Sequence, residues 1–152
     1  MRGMSLEAWC NTDSAAVRGA FPDTITQPKG AKTMEIRYSC NQRDFKRYTT
    51  EETRKEFLIE NLYAANEVVA VYSHVDRMVT LGCMPTTETV PIDKGIDIWH
   101  NFGTQYFLER REIGVFNIGG AGSITADGVK YELGYKDCLY ITQGTKEVLF
   151  AS

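Results

Sequence analysis

Beyond Phe57 the chain breaks into a succession of short apolar-rich runs separated at regular intervals by turn residues, and this pattern constrains the fold more than any other feature. The runs are Phe57–Leu62, Glu67–His74, Arg77–Met84, Thr87–Ile92, Gln105–Glu112, Val115–Ile118, Ser123–Ala126, Val129–Leu133, Cys138–Ile141 and Glu147–Phe150. Each is too short for a globular helix and suits a strand. Asp127-Gly128, between Ile124 and Val129, is the sharpest two-residue hairpin signal, because a type I′ turn needs positive φ at both central positions. Many short strands with evenly spaced turns predict an all-β sandwich or jelly roll. One short helix is expected: Thr49 with Glu52 three residues later forms a capping-box start, preceded by a strand over Glu35–Ser39.

At 152 residues the chain is of single-domain size, with ordinary apolar (43%) and charged (24%) shares. The net charge of −3 and the lack of a basic tract interleaved with aromatics argue against nucleic acid. No run approaches the roughly 18 apolar residues of a spanning helix, and no signal-peptide core opens the chain, so no membrane partner is expected and the location reads as cytoplasmic. Cys10, Cys40, Cys83 and Cys138 are far apart, with no C-x-x-C pair, and read as isolated thiols in a reducing compartment. Residues 1–33 lack any period and read as a disordered leader that is not native. Lys29 to Thr33 can be encoded by a purine-rich ribosome-binding sequence, which makes Met34 the expected start.

Three constellations could carry chemistry. Gly119-Gly120-Ala121-Gly122 resembles a phosphate cradle, but it runs into a strand rather than opening a helix, and so reads as a turn or bulge. Ser73-His74-Val75-Asp76-Arg77 holds the residue types of a triad. On a strand, His74 and Asp76 would share a face and Ser73 would point away, leaving a His–Asp pair that is a base or a structural bond. His100, in a turn-like region, reads as a loop residue. Tyr106 to Glu112 is the densest charge cluster; Arg110 and Arg111, with Arg77, could grip a carboxylate, and Glu112 could move a proton. The plainer reading of that cluster is an internal ion-pair ladder or a subunit interface.

Glu112 followed by Gly119, then Gly134, Asp137 and Thr142-Gln143-Gly144, resembles the two cupin motifs. Where a metal-binding cupin carries His-x-His, this chain has Tyr106 and Leu108, and Glu147 stands in place of the last His. No metal is therefore expected in this chain. Phe57-Leu58-Ile59-Glu60, Val71 to Arg77, Tyr106 to Glu112 with Gly114, Asn117 to Gly122 and Lys146 to Ser152 closely resemble the N-terminal half of the 5-keto-4-deoxyuronate isomerase family of bacterial pectin breakdown. The resemblance covers Met34 to the last residue. It implies a cupin-like jelly roll over residues 34–152, lacking its last strand, in a two-cupin enzyme that is hexameric when full length and holds zinc in its C-terminal cupin. The implied activity is the aldose–ketose isomerisation of 4-deoxy-L-threo-5-hexosulose uronate to 3-deoxy-D-glycero-2,5-hexodiulosonate, with this chain inactive alone. From the residues themselves the catalytic candidates are His74, Asp76 and Glu112, and the substrate-binding candidates are Arg77, Arg110 and Arg111. The alternative is a stand-alone, metal-free cupin that binds a sugar acid as a sensor or scaffold.

Overall fold

The structure is a computed structural model that describes residues 34–152; the expected leader over 1–33 lies outside the described residues. In chain order the elements are β1 (Glu35–Arg37), α1 (Gln42–Phe45), α2 (Thr50–Phe57), β2 (Val68–Ser73), β3 (Met78–Cys83), β4 (Val90–Pro91), α3 (Ile98–Phe102), β5 (Ile113–Phe116), β6 (Gly122–Ala126), β7 (Val129–Leu133), β8 (Cys138–Ile141) and β9 (Val148–Ala151). The fold is β-rich, with three open sheets ordered β1-β2-β3, β4-β9-β6-β7 and β5-β8.

Two hairpins follow directly from turn chemistry. β6 and β7 pair antiparallel from Gly122↔Leu133 to Ala126↔Val129, so Asp127 and Gly128 alone close the turn. Their φ values of 44° and 83° are the positive pair that the Asp-Gly dipeptide is suited to adopt. β2 and β3 pair from Val68↔Cys83 to Ser73↔Met78, leaving His74 to Arg77 as the connecting turn, with Arg77 left-handed at φ 58°.

The core runs between the sheets. Along β9, Val148 and Phe150 are buried while Leu149 and Ala151 are less so, the alternation expected of a strand with one covered face. Val90, Leu108 and Val148 are the most completely buried large side chains. At Gly82 on β3 the backbone passes so close to the Leu62 carbonyl that a Cβ would collide with it, which is a steric reason for glycine there.

Several expectations are corrected. Among the described residues three helices replace one. α1 is capped by the Asn41 side chain, which accepts from Arg43 N at 2.8 Å, and α3 by Asp97, which accepts from His100 N at 2.9 Å, while Gly103 closes α3 at φ 63°. His100 therefore sits on a helix, not in a loop. Phe57–Leu62 is not a strand: Phe57 completes α2, and Arg37 then holds the exit by donating to the Glu56 and Leu58 carbonyls at 3.3 and 3.0 Å. Only Val90–Pro91 of the Thr87–Ile92 run pairs. Gln105–Glu112 contains no strand and is an irregular segment, although Phe107 and Leu108 within it are buried.

Candidate functional site

Asn117 organises the end of the molecule that carries the cupin-like motifs. Its carboxamide nitrogen donates to the carbonyls of Gly120, Leu133 and Gly134 at 2.8, 3.1 and 3.0 Å, and its oxygen accepts from Gly119 N at 3.1 Å. Asp137 accepts from Gly134 N at 2.7 Å. Gly119 to Gly122 is thus a turn tied to its neighbours, as its sequence context indicates. Gly144, left-handed at φ 94°, donates its N–H to Leu108 O at 2.8 Å, which ties the second motif to the irregular segment.

The proposed His–Asp pair does not form. Both residues lie in the β2–β3 turn rather than on a strand face. The Ser73 hydroxyl beside it, together with the Met78 N–H that donates to it at 3.3 Å, holds the Asp76 carboxylate below the ordinary range. They belong to the turn. The His74 ring stacks on Tyr38 with centroids 4.8 Å apart and meets Tyr72 edge-on at 4.7 Å.

The charge cluster divides in two. Glu109 accepts from Gln105 N at 2.6 Å. The Glu112 carboxylate lies beside the Tyr140 hydroxyl and raises Tyr140 above its ordinary value. Arg110 and Arg77 are exposed. Among the described residues none of Arg77, Arg110 and Arg111 has a carboxylate within 4.0 Å, so the segment is no internal ion-pair ladder. Arg111 packs instead on aromatic rings. Its Cζ lies 4.6 Å from the Phe102 centroid and 5.4 Å from that of Tyr72, contacts worth about 0.5–1 kcal/mol each at partly exposed sites. Phe102 in turn meets Phe107 edge-on at 5.4 Å. Of the six candidates, the structure brings Arg111 and His74 to one ring, Tyr72.

Tyr38, Tyr72 and Phe102 were not among the candidates. Their signal is weak in sequence, since three aromatics at 38, 72 and 102 carry no common spacing. Two concavities flank this region. One, of about 750 Å³, is mostly apolar and includes Val68, Leu81, Val115, Ile124 and Phe150. Cys83 lines it too, and burial pushes that thiol up to about 11, away from thiolate chemistry. The other, of about 910 Å³, lies between α2, β1 and β2, and its charges are largely paired, as in Arg37–Glu35 at 2.7 Å and Arg54–Glu60 at 2.9 Å. Among the described residues no three His, Cys, Asp or Glu side chains converge to hold a metal ion, and Cys40, Cys83 and Cys138 form no disulfide. Among the same residues no helix is long and apolar enough to cross a membrane.

Two 4-deoxy-L-threo-5-hexosulose-uronate ketol-isomerases, from Escherichia coli O45:K1 (strain S88 / ExPEC) and Escherichia coli O17:K52:H18 (strain UMN026 / ExPEC), are each 49% identical to this chain over 119 residues. The chain is a relative of the uronate ketol-isomerases. A third, from Escherichia coli O9:H4 (strain HS), matches equally. In each case the match covers 78% of this chain and 42% of the isomerase, so the chain spans less than half the length of these curated relatives. No family model matches.

Proposed function

We propose that this chain is the N-terminal, cupin-like jelly-roll part of a uronate ketol-isomerase that converts 4-deoxy-L-threo-5-hexosulose uronate to 3-deoxy-D-glycero-2,5-hexodiulosonate, and that its part in the enzyme is to build and support rather than to turn over substrate. The observation that carries this reading is the 49% identity over 119 residues that make up only 42% of the isomerases. The β-rich architecture and the two glycine-bearing motif regions tied together by Asn117 and Gly144 support the jelly-roll assignment.

A ketol shift moves a proton between adjacent carbons and needs an electrophile to stabilise the enediolate. In the family that electrophile is zinc. The residues described here do not fit it. Leu108, where an imidazole would be required, is 1% exposed and packed in the core, and Glu112 lies beside Tyr140. The chain's acids have structural work: Asp76 holds a turn and Glu109 holds a backbone N–H. The surrounding reading follows from the same family: a cytoplasmic homo-oligomer, a small uronate as ligand, and neither nucleic acid nor membrane as partner.

The test is a chimera in which the matching residues of this chain replace their counterparts in the Escherichia coli isomerase. Turnover of the uronate within about tenfold of the parent is expected. A folded, oligomeric chimera with no turnover would refute the assignment.

A further inference from the structure

We propose that Arg111, seated against Phe102 and Tyr72, is the anchor of a binding site for the carboxylate of a small-molecule ligand. The proposal needs only the local geometry and does not depend on the isomerase reading.

Four of the described cations are ion-paired. Arg37 pairs with Glu35, Arg54 with Glu60, Lys94 with Glu88 and Lys130 with Glu132, at 2.6 to 2.9 Å. Arg111 is held differently. Its guanidinium lies within 4.6 and 5.4 Å of two ring centroids, and it is only partly exposed. Among the described residues no carboxylate and no hydrogen-bond acceptor engages its N–H groups. Of the two acids nearest in sequence, Glu109 accepts from Gln105 N at 2.6 Å, and Glu112 lies beside Tyr140 rather than within 4.0 Å of Arg111.

That combination suits recognition. Aromatic contacts restrict the guanidinium, so less freedom is lost when a ligand binds, while its N–H donors stay available for a carboxylate in bidentate geometry. Lysine could not do the same, because its ammonium has neither the plane nor the fork. The aromatic surroundings extend from Phe102 and Tyr72 to the stacked His74 and Tyr38, giving a ligand an apolar surface beside its charge. A single guanidinium matches a monoanion. Phosphate sites typically gather several donors from a helix N-terminus or a glycine-rich loop, and here it is Phe102, in the last turn of α3, that touches Arg111.

The experiment follows the Arg111 Nε–H resonance of the full chain by NMR during titration with D-glucuronate, D-glucose and inorganic phosphate at constant ionic strength. A saturable shift with glucuronate is expected, none with glucose, and at least tenfold weaker binding of phosphate. Arg111→Lys is expected to weaken glucuronate binding at least tenfold, and Lys130→Ala to leave it unchanged. Equal responses to glucuronate and glucose, phosphate binding as tightly as glucuronate, or Arg111→Lys binding like the parent would each overturn the proposal. The ligand comparison on the unmodified chain decides the matter even if the variant does not fold.

Discussion

Thr49 and Glu52 cap α2 reciprocally: the Glu52 carboxylate accepts from Thr49 N at 2.7 Å, and the Thr49 hydroxyl oxygen accepts from Glu52 N at 3.3 Å. Two N–H groups that the helix cannot satisfy itself are thereby paired. Thr49→Ala is expected to cost about 1 kcal/mol, read as a lower urea midpoint with unchanged slope.

The same pair carries a pH dependence. Hydrogen bonds from the Thr49 backbone and hydroxyl hold Glu52 below the ordinary carboxylate range in the folded chain. A depressed folded value means that the contribution is fully present above the unfolded value, near ~4.3, and is lost as pH falls through the lower folded one. The stability gap between the parent and Glu52→Ala should therefore be larger at neutral pH than below pH ~3. A gap that widens in acid would show that the bonds to the carboxylate are not what Glu52 contributes.

Leu108 sits in an irregular segment yet is 1% exposed. Leu108→Ala should cost about 2–5 kcal/mol by chemical denaturation, as in other buried leucine truncations. A loss below about 1 kcal/mol would mean that the segment from Gln105 to Glu112 is not packed into the core.

Thr104 is the buried polar residue among the core side chains described, and its Oγ1 has no hydrogen-bond partner. Thr104→Val keeps the shape and removes the unsatisfied hydroxyl, so it should be neutral or stabilising by up to about 1 kcal/mol. Thermal unfolding measures it directly; a clear fall in Tm would reveal a partner for that oxygen.

Gly82→Ala tests the packing of β3. Its new Cβ would collide with the Leu62 carbonyl, a backbone atom that cannot step aside as a side-chain tip would. A loss of about 2 kcal/mol or more is expected, with Gly120→Ala, where a Cβ meets open space, as the mild comparison.

What could be read in advance is what short-range chemistry decides. The Asp127-Gly128 turn and the capping box at Thr49 both depend on residues within a few positions of one another. The caps of α1 and α3 were equally local, in Asn41 and in Asp97 with Gly103, but four- and five-residue helices leave too little periodicity to find. The strand reading of Gln105–Glu112 failed because Phe107 and Leu108 join a core assembled from residues distant in sequence, which is a tertiary fact. At the candidate site, Arg111 was legible only as one cation of a charge cluster. Its aromatic seat was not, because Tyr72 and Phe102 come to it from different elements. The His74–Asp76 pairing was lost when a presumed strand end became a turn.

The account stands or falls on whether this chain supplies structure to an isomerase whose electrophile is bound elsewhere. Zinc content by elemental analysis, measured together with turnover of 4-deoxy-L-threo-5-hexosulose uronate by the purified chain alone, addresses that most directly. The expected result is well below one zinc per chain and no detectable ketose. Stoichiometric zinc with turnover would contradict it.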